Sequence, residues 1–168
     1  MLGFVFRGLT AEAPGGTALF DALTAESRKP HWYVEGAVPD TLDGRFAVLA
    51  TIIALVLVRL ERDGEQGDRL SVKLTERFIH VMESEHRELG LGDPTLGKTV
   101  RRLVGMLARR TELWRSATAA NWTQTTRESL YKGDVINEAL RSSATGLQAF
   151  AKRVGAKSLR ELEQGKIA

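Results

Sequence analysis

The chain has 168 residues, with 24 Lys and Arg against 21 Asp and Glu, a formal net charge of +3, and no cysteine. A chain of this length is expected to form one domain that folds without disulfides or metals. The lack of cysteine excludes disulfides, thiolate zinc sites, iron–sulfur clusters and a cysteine nucleophile. The imidazoles are His31, His80 and His86, and the last two do not share a helix face. Neither a metal site nor a cofactor is therefore predicted.

The first 16 residues lack the basic region that opens a secretory signal, and we predict that they form a flexible N-terminal segment. The longest apolar run, residues 46–58, counts 13 residues between Arg45 and Arg59. A membrane-spanning helix needs about 18 to 20 apolar residues, so this run is too short to span. We therefore expect a soluble protein that stays on the side of the membrane where it is made.

The sequence predicts an all-α fold, a compact single-domain bundle of about six or seven helices over residues 17–168. No alternation of polar and apolar residues persists over a strand length, and the last 74 residues contain no proline. The first helix is predicted at residues 17–28, and the second runs from an N-cap at Asp43 to a turn at residues 63–68.

The third helix is predicted at residues 68–89. The fourth begins with Asp93 as its N-cap and Pro94 at the first helical position, and continues to residue 120. Gly133 and Gly155 are expected to separate the remaining helices, which are predicted at residues 122–132, 134–153 and 157–164.

The second predicted helix is apolar almost all round, and Thr51 is its one uncharged polar residue between residues 46 and 60. A helix of this kind must be covered by other elements, and it is typical of a central core helix. The alternative is that part of its surface forms a groove for an apolar segment of a client protein.

The fourth predicted helix has a basic face opposite its apolar side. Residues 98–115 carry six basic side chains and one acidic side chain, Glu112. This face is either an ordinary solvated surface or a docking face for ribosomal RNA, acidic lipid headgroups or an acidic protein. No Tyr or Phe interleaves it, which disfavours stacking on single-stranded RNA. The candidate basic docking face comprises Lys98, Arg101, Arg102, Arg109 and Arg110.

Gly92 to Thr99 match the phosphate-loop pattern G-x-x-x-x-G-K-[ST] letter for letter. A phosphate loop requires a buried strand leading into it, whereas the preceding residues, SEHRELGL, are typical of a polar helix end. No apolar strand ending in Asp follows to hold magnesium. We therefore predict no nucleotide site here, and since no spacing suggests a triad or a carboxylate pair, no catalytic residue either.

Four stretches together resemble the ubiquinol-cytochrome c chaperone family: Trp32-Tyr33, VPDTLDGRF at residues 38–46, VRL at residues 58–60, and HRELGLGDPTLGKTVRRL at residues 86–103. The resemblance covers about residues 18–116. It implies an all-helical, non-enzymatic assembly factor of respiratory complex III that binds newly made cytochrome b. It also implies a bacterial-type member in the cytoplasm, where the basic face suits docking to the ribosome or the inner-membrane surface. DNA is not an expected partner.

The motifs of the resemblance supply a candidate surface for the client or a partner protein, which comprises Tyr33, Asp40, Asp43, Arg45, Arg87, Glu88 and Asp93. The alternative is that these residues mainly lock loops together, since aspartates can cap helices and Arg45 can bridge to a carboxylate. This chain has Ala47 and Ile52 where the family pattern has an acidic residue and a histidine. The alternative function is a basic helical module that binds RNA or the ribosome without a membrane-protein client.

Overall fold

The computed structural model describes residues 16–90 and 92–168, and these form seven α-helices with two short 3-10 turns. No strand occurs in these ranges, which confirms the predicted all-α fold. Residues 1–15, most of the segment predicted to be flexible, lie outside the described residues. The helices are α1 (Gly16–Ser27), α2 (Leu42–Leu60), α3 (Gly64–Glu88), α4 (Asp93–Arg115), α5 (Trp122–Leu130), α6 (Asn137–Ala156) and α7 (Leu159–Glu163).

The central helix is α2, which packs against α1, α3, α4, α5 and α6. All residues from 47 to 56 are buried, and this confirms the interpretation of the apolar run as a core helix. Even Thr51 is fully buried, and its hydroxyl donates a hydrogen bond to the Ala47 carbonyl at 2.7 Å. Within the described ranges, no helix combines the length and apolar character that crossing a membrane requires.

Two predicted N-caps are wrong by one or two residues. The N-cap of α2 is Thr41, whose hydroxyl accepts a hydrogen bond from Gly44 N at 3.2 Å. Asp43 lies in the first turn instead, where the helix dipole favours a carboxylate. At α4 the extended residue is Gly92, and Asp93 is the first residue of the helix. The helices begin where the backbone leaves the extended conformation, and a nearby aspartate is not enough to fix that position.

The turn predicted at residues 63–68 is also wrong, because α3 begins at Gly64 after a single 3-10 turn. Gly67 lies in the first turn of α3 and faces the end of α2. A Cβ atom at residue 67 would lie 2.0 Å from the Leu60 carbonyl oxygen, so glycine alone permits this close corner. The polar, glycine-containing stretch is therefore a tight helix–helix corner and the start of a helix.

Arg59 connects this corner to the C-terminal end of α6. Its guanidinium is buried, and it donates from Nε to the Val154 carbonyl at 3.2 Å and from Nη2 to the Lys157 carbonyl at 2.6 Å. It also forms an ion pair with Asp63. The last carbonyls of a helix have no partner within the helix; Arg59 gives the Val154 carbonyl a second donor beside Lys157 N and supplies the donor to the Lys157 carbonyl, just past the end of α6.

The later helices differ from their predicted bounds. α4 ends at Arg115, and Asn121 holds the following turn by accepting a hydrogen bond from Thr118 N at 2.6 Å. α6 runs through Gly155, which was expected to end it. Its apolar side continues into the core as far as Val154, so packing carries the helix past the glycine.

α7 and the residues after it close the bundle against α1. Ile167 belongs to the same buried core cluster as Leu19 and Leu23 of α1. A capping box at Ser158 starts α7, because Ser158 accepts from Glu161 N and the Glu161 carboxylate accepts from Ser158 N.

Tyr131 joins the loop before α2 to α6. Its hydroxyl donates to the Gly36 carbonyl at 2.5 Å, so the second contact, at 2.7 Å, must be donated by the Ser143 hydroxyl. A tyrosine hydroxyl is protonated at neutral pH and can donate, and burial raises the pKa of Tyr131 further. One side chain therefore holds three segments of the chain together.

Replacing Tyr131 by phenylalanine is expected to lower the free energy of unfolding by about 1–2 kcal/mol, because a buried carbonyl and a buried hydroxyl each lose a partner. Urea unfolding followed by circular dichroism measures this difference. We expect the dependence on urea concentration to keep its slope, since the helices stay the same. Equal stability of the two proteins would show that the loop is held by other contacts.

Candidate functional site

An open concavity of about 230 Å³ lies where α2 begins, beside α4 and the end of α5. It is lined by Asp43, Gly44 and Ala47 of α2, by Met106 and Arg110 of α4, and by residues 128–132. The concavity therefore lies between the VPDTLDGRF stretch, residues 38–46, and α4, the helix that carries the basic residues. These segments are far apart in sequence, and the packing of α4 on α2 joins them.

Asp43 and Lys132 form an ion pair at the rim of the concavity, with Nζ and Oδ2 2.7 Å apart. The hydrogen bond from Lys132 lowers the pKa of the Asp43 carboxyl, and the charge of Arg102 lowers it further. Both partners of the pair are exposed, so the pair adds little to stability. It does connect the start of α2 to the segment between α5 and α6.

Arg110 forms one wall of the concavity and is half-buried. It donates from Nε to the Ser129 carbonyl at 3.1 Å and from Nη1 to the Met106 carbonyl at 3.3 Å. Its guanidinium carbon lies 5.7 Å from the centre of the Phe46 ring. Burial lowers the pKa of Arg110, and the charge of Arg109 acts in the same direction. The residue stays charged at neutral pH, because an arginine loses its proton only far above that range.

A buried polar contact lies behind the concavity. The Thr51 hydroxyl donates to its own helix, so the Ser129 hydroxyl donates to Thr51 at 2.6 Å. Ser129 in turn accepts from Trp114 Nε1 at 3.0 Å. Since Thr51 lies on α2, Trp114 on α4 and Ser129 on α5, these hydrogen bonds fix the three elements that form the concavity.

Three of the predicted client-surface residues lie in the loop before α2 or at its edge. Tyr33 is half-buried, and its hydroxyl donates to the Ser27 carbonyl at 2.8 Å. Burial raises the pKa of this hydroxyl. Asp40 and Arg45 form an exposed ion pair at 2.6 Å, and the hydrogen bond from Arg45 lowers the pKa of the Asp40 carboxyl. These contacts hold the loop locally while leaving the charged ends at the surface.

The other three lie elsewhere: Arg87 and Glu88 are the last two residues of α3, and Asp93 is the first residue of α4. All three are exposed, and none forms an ion pair with another described residue. The structure therefore does not bring the two sequence motifs into one ion-paired cluster. The phosphate-loop-like stretch also lies here, and residues 93–99 form the first turns of α4.

The basic residues of α4 divide into two groups. Lys98, Arg101, Arg102 and Arg109 are exposed, and in the described part of the chain none of them forms an ion pair with a carboxylate. Arg110 differs, because it turns toward the concavity and packs on Phe46. The exposed basic face of α4 therefore contains four of the five predicted residues and excludes Arg110.

Sequence reasoning missed the contribution of residues 128–132. Ser129 lies in a polar stretch, and its residue type does not distinguish it from the exposed Glu128 beside it. The nearest signal was Leu130-Tyr131, an apolar pair at the end of a short predicted helix. Across the described ranges, no group of three or more His, Asp or Glu side chains is placed to hold a metal ion.

Comparisons with known proteins agree with this architecture. The crystal structure of the Cbp3 homolog from Brucella abortus is similar to the chain with a TM-score of 0.73 and 24% sequence identity, covering 100% of this chain and 96% of that chain. At this identity the likeness shows a shared fold. No curated protein sequence is significantly similar to the chain.

The family model described as Ubiquinol-cytochrome C chaperone matches residues 35–162. This range contains the stretches at residues 38–46, 58–60 and 86–103, and it continues past residue 116 through the segment that completes the concavity. The match covers most of the sequence and includes every helix from α2 to α6. The chain therefore belongs to the ubiquinol-cytochrome c chaperone family.

Proposed function

We propose that the chain is an assembly chaperone that binds newly made cytochrome b and supports the formation of respiratory complex III. The observation that carries the proposal is the family match over residues 35–162. A chaperone of this family acts by binding a client protein, so the surface that matters is one that can receive part of another chain. The proposed place of action is the cytoplasmic side of the inner membrane.

The burial of α2 favours a client contact at the rim of the bundle over one along this helix. Because residues 47–56 are buried, most of α2 is already covered by the other helices and offers no long apolar groove. Its exposed part is its first turn, which contains Leu42, Asp43 and Arg45. Contact with the client is therefore proposed at the concavity and the neighbouring loop.

The proposal is tested by purifying an affinity-tagged chain from solubilised membranes of the source organism. We expect cytochrome b among the recovered proteins, identified by mass spectrometry, and a loss of assembled complex III when the gene is deleted. Normal complex III after deletion, together with recovery of no cytochrome b, would contradict the proposal.

A second candidate function is supported by the exposed cations of α4. Lys98, Arg101, Arg102 and Arg109 make no ion pair with a described carboxylate, so they are open to phosphate groups of RNA. Binding to phosphates weakens steeply as salt is added, because counterions are released on binding. Binding of a client at the concavity, where Arg110 and Lys132 lie among apolar side chains, engages fewer charges and depends less on salt, so titration at several salt concentrations separates the two functions.

A further inference from the structure

We infer that the concavity beside α2 binds a carboxylate of the client, carried by an acidic and partly apolar segment that lies outside the membrane, with Arg110 as the anchor. The inference rests on the proposed function, because it names the part of cytochrome b that this surface recognises.

Arg110 is a half-buried cation whose charge is not compensated within the described structure. Its hydrogen-bond acceptors are two backbone carbonyls, those of Ser129 and Met106. No carboxylate of the described residues forms an ion pair with it. Buried charges in proteins are usually paired, and a guanidinium has five N–H donors. Some of these donors are therefore left for an acceptor that enters the concavity.

The two carboxylates that line the concavity already have partners. Asp43 accepts from Lys132 at 2.7 Å, and Glu128 accepts from Gln124 Nε2 at 2.7 Å. Arg102 lies close enough to Asp43 to lower the pKa of its carboxyl. The lining itself holds two cations, Arg110 and Lys132, and two carboxylates, and Arg102 beside Asp43 adds one positive charge, so an incoming anion is favoured over an incoming cation.

The planar guanidinium of Arg110 suits an anion that offers two oxygens, as a carboxylate does. The guanidinium is planar, and the Phe46 ring on one side and the two carbonyl contacts fix its plane. Nε and one N–H of Nη1 are already used, so the groups left for the two oxygens of a carboxylate are those of Nη2 and the second N–H of Nη1. Since the proposed client is a protein, we expect the occupant to be an aspartate or glutamate side chain.

The lining and the volume of the concavity indicate the apolar character and the size of the occupant. Ala47, Met106 and Leu130 supply apolar surface, and the neighbouring Leu42 is 74% exposed. A volume of about 230 Å³ accommodates side chains and is too small for a helix of about 10 Å diameter. The occupant is therefore an acidic and apolar stretch of a loop rather than a membrane-spanning helix.

The test uses the full chain and short synthetic peptides that tile the extramembrane segments of cytochrome b from the source organism. We expect at least one acidic peptide to bind, measured by fluorescence anisotropy. The same peptide with Asp and Glu changed to Asn and Gln is expected to bind about tenfold more weakly, because a charge-assisted hydrogen bond is lost. Equal binding of the acidic and amide peptides would overturn the inference.

A variant that places a carboxylate of the chain itself in the concavity provides a second measurement. In Met106→Glu, the added carboxylate lies one helical turn before Arg110 and can pair with it, so we expect a folded protein that binds the acidic peptide about tenfold more weakly. The control is Ala108→Glu, which changes the charge equally at an exposed position that does not line the concavity. We expect this control to bind as the unmodified chain does.

Recovery of full-length cytochrome b distinguishes failure of the inference from failure of the proposed function. If the unmodified chain recovers cytochrome b but Met106→Glu and Ala108→Glu bind the peptides equally, the inference is wrong and the proposed function stands. If the unmodified chain recovers no cytochrome b, both are wrong. Arg110→Gln, with its stability measured in parallel, is expected to behave as Met106→Glu does.

Discussion

Replacing Gly44 by alanine is expected to lower the free energy of unfolding by about 3 kcal/mol, one of the largest effects of any single methyl group in this chain. A Cβ atom at residue 44 would lie 1.8 Å from the Pro39 carbonyl oxygen and 2.9 Å from the carbonyl carbon. Both neighbouring atoms belong to the backbone, so neither can rotate away. The loop before α2 would have to move, and Gly44 also lines the concavity.

The measurement is thermal unfolding followed by circular dichroism, where the expected loss corresponds to a fall in Tm of about 6–12 °C. Gly105→Ala is a matched control, because it also removes a glycine from a helix but nothing lies within 4 Å of the new Cβ atom. This control is expected to raise stability by about 0.5–1 kcal/mol. If the two variants changed Tm alike, the close approach of Gly44 to Pro39 would not exist in solution.

Replacing Arg59 by methionine is expected to lower the free energy of unfolding by about 3 kcal/mol. Methionine keeps much of the apolar stem but removes the donors to the Val154 and Lys157 carbonyls and the ion pair with Asp63. The Lys157 carbonyl loses its donor and the Val154 carbonyl keeps only its contact with Lys157 N, and these two losses account for most of the expected change, since Asp63 can turn toward water.

Arg62→Met is the control for this prediction, because Arg62 donates to the Gly155 carbonyl from an exposed position. Removing that contact is expected to cost about 0.5 kcal/mol, since water can replace the donor. Urea unfolding of both variants measures the difference. Similar small losses in the two variants would show that Arg59 does not hold α6 as described, and that the VRL stretch has another role.

Much of the fold could be predicted from the sequence because its signals are local. The apolar run at residues 46–58 indicated a core helix, and the spacing of prolines and apolar residues indicated helices throughout. The errors arose where tertiary contacts decide the outcome. The close approach of Gly67 to Leu60 allows α3 to start several residues early, and core packing at Val154 carries α6 past Gly155.

Less of the candidate site could be predicted, because its walls come from separate parts of the chain. Helical periodicity placed Arg110 beside the exposed basic residues of α4, but its burial depends on Phe46 of α2 and Ser129 of α5. No local sequence pattern indicates which helices will pack against each other. The family resemblance indicated Asp43 as a candidate residue. Its ion pair with Lys132 at the rim of the concavity is seen only in the folded bundle.

The packing of α7 against α1 has a consequence for the order in which the domain is assembled. During synthesis α1 leaves the ribosome before the other six described helices, while Ile167, which belongs to the cluster around Leu19 and Leu23, leaves after all seven. Contacts between residues so distant in sequence form late, because the chain between them must be ordered first. The apolar side of α1 therefore stays partly uncovered until residues 159–167 have emerged, so the domain needs its own late helix before it is complete.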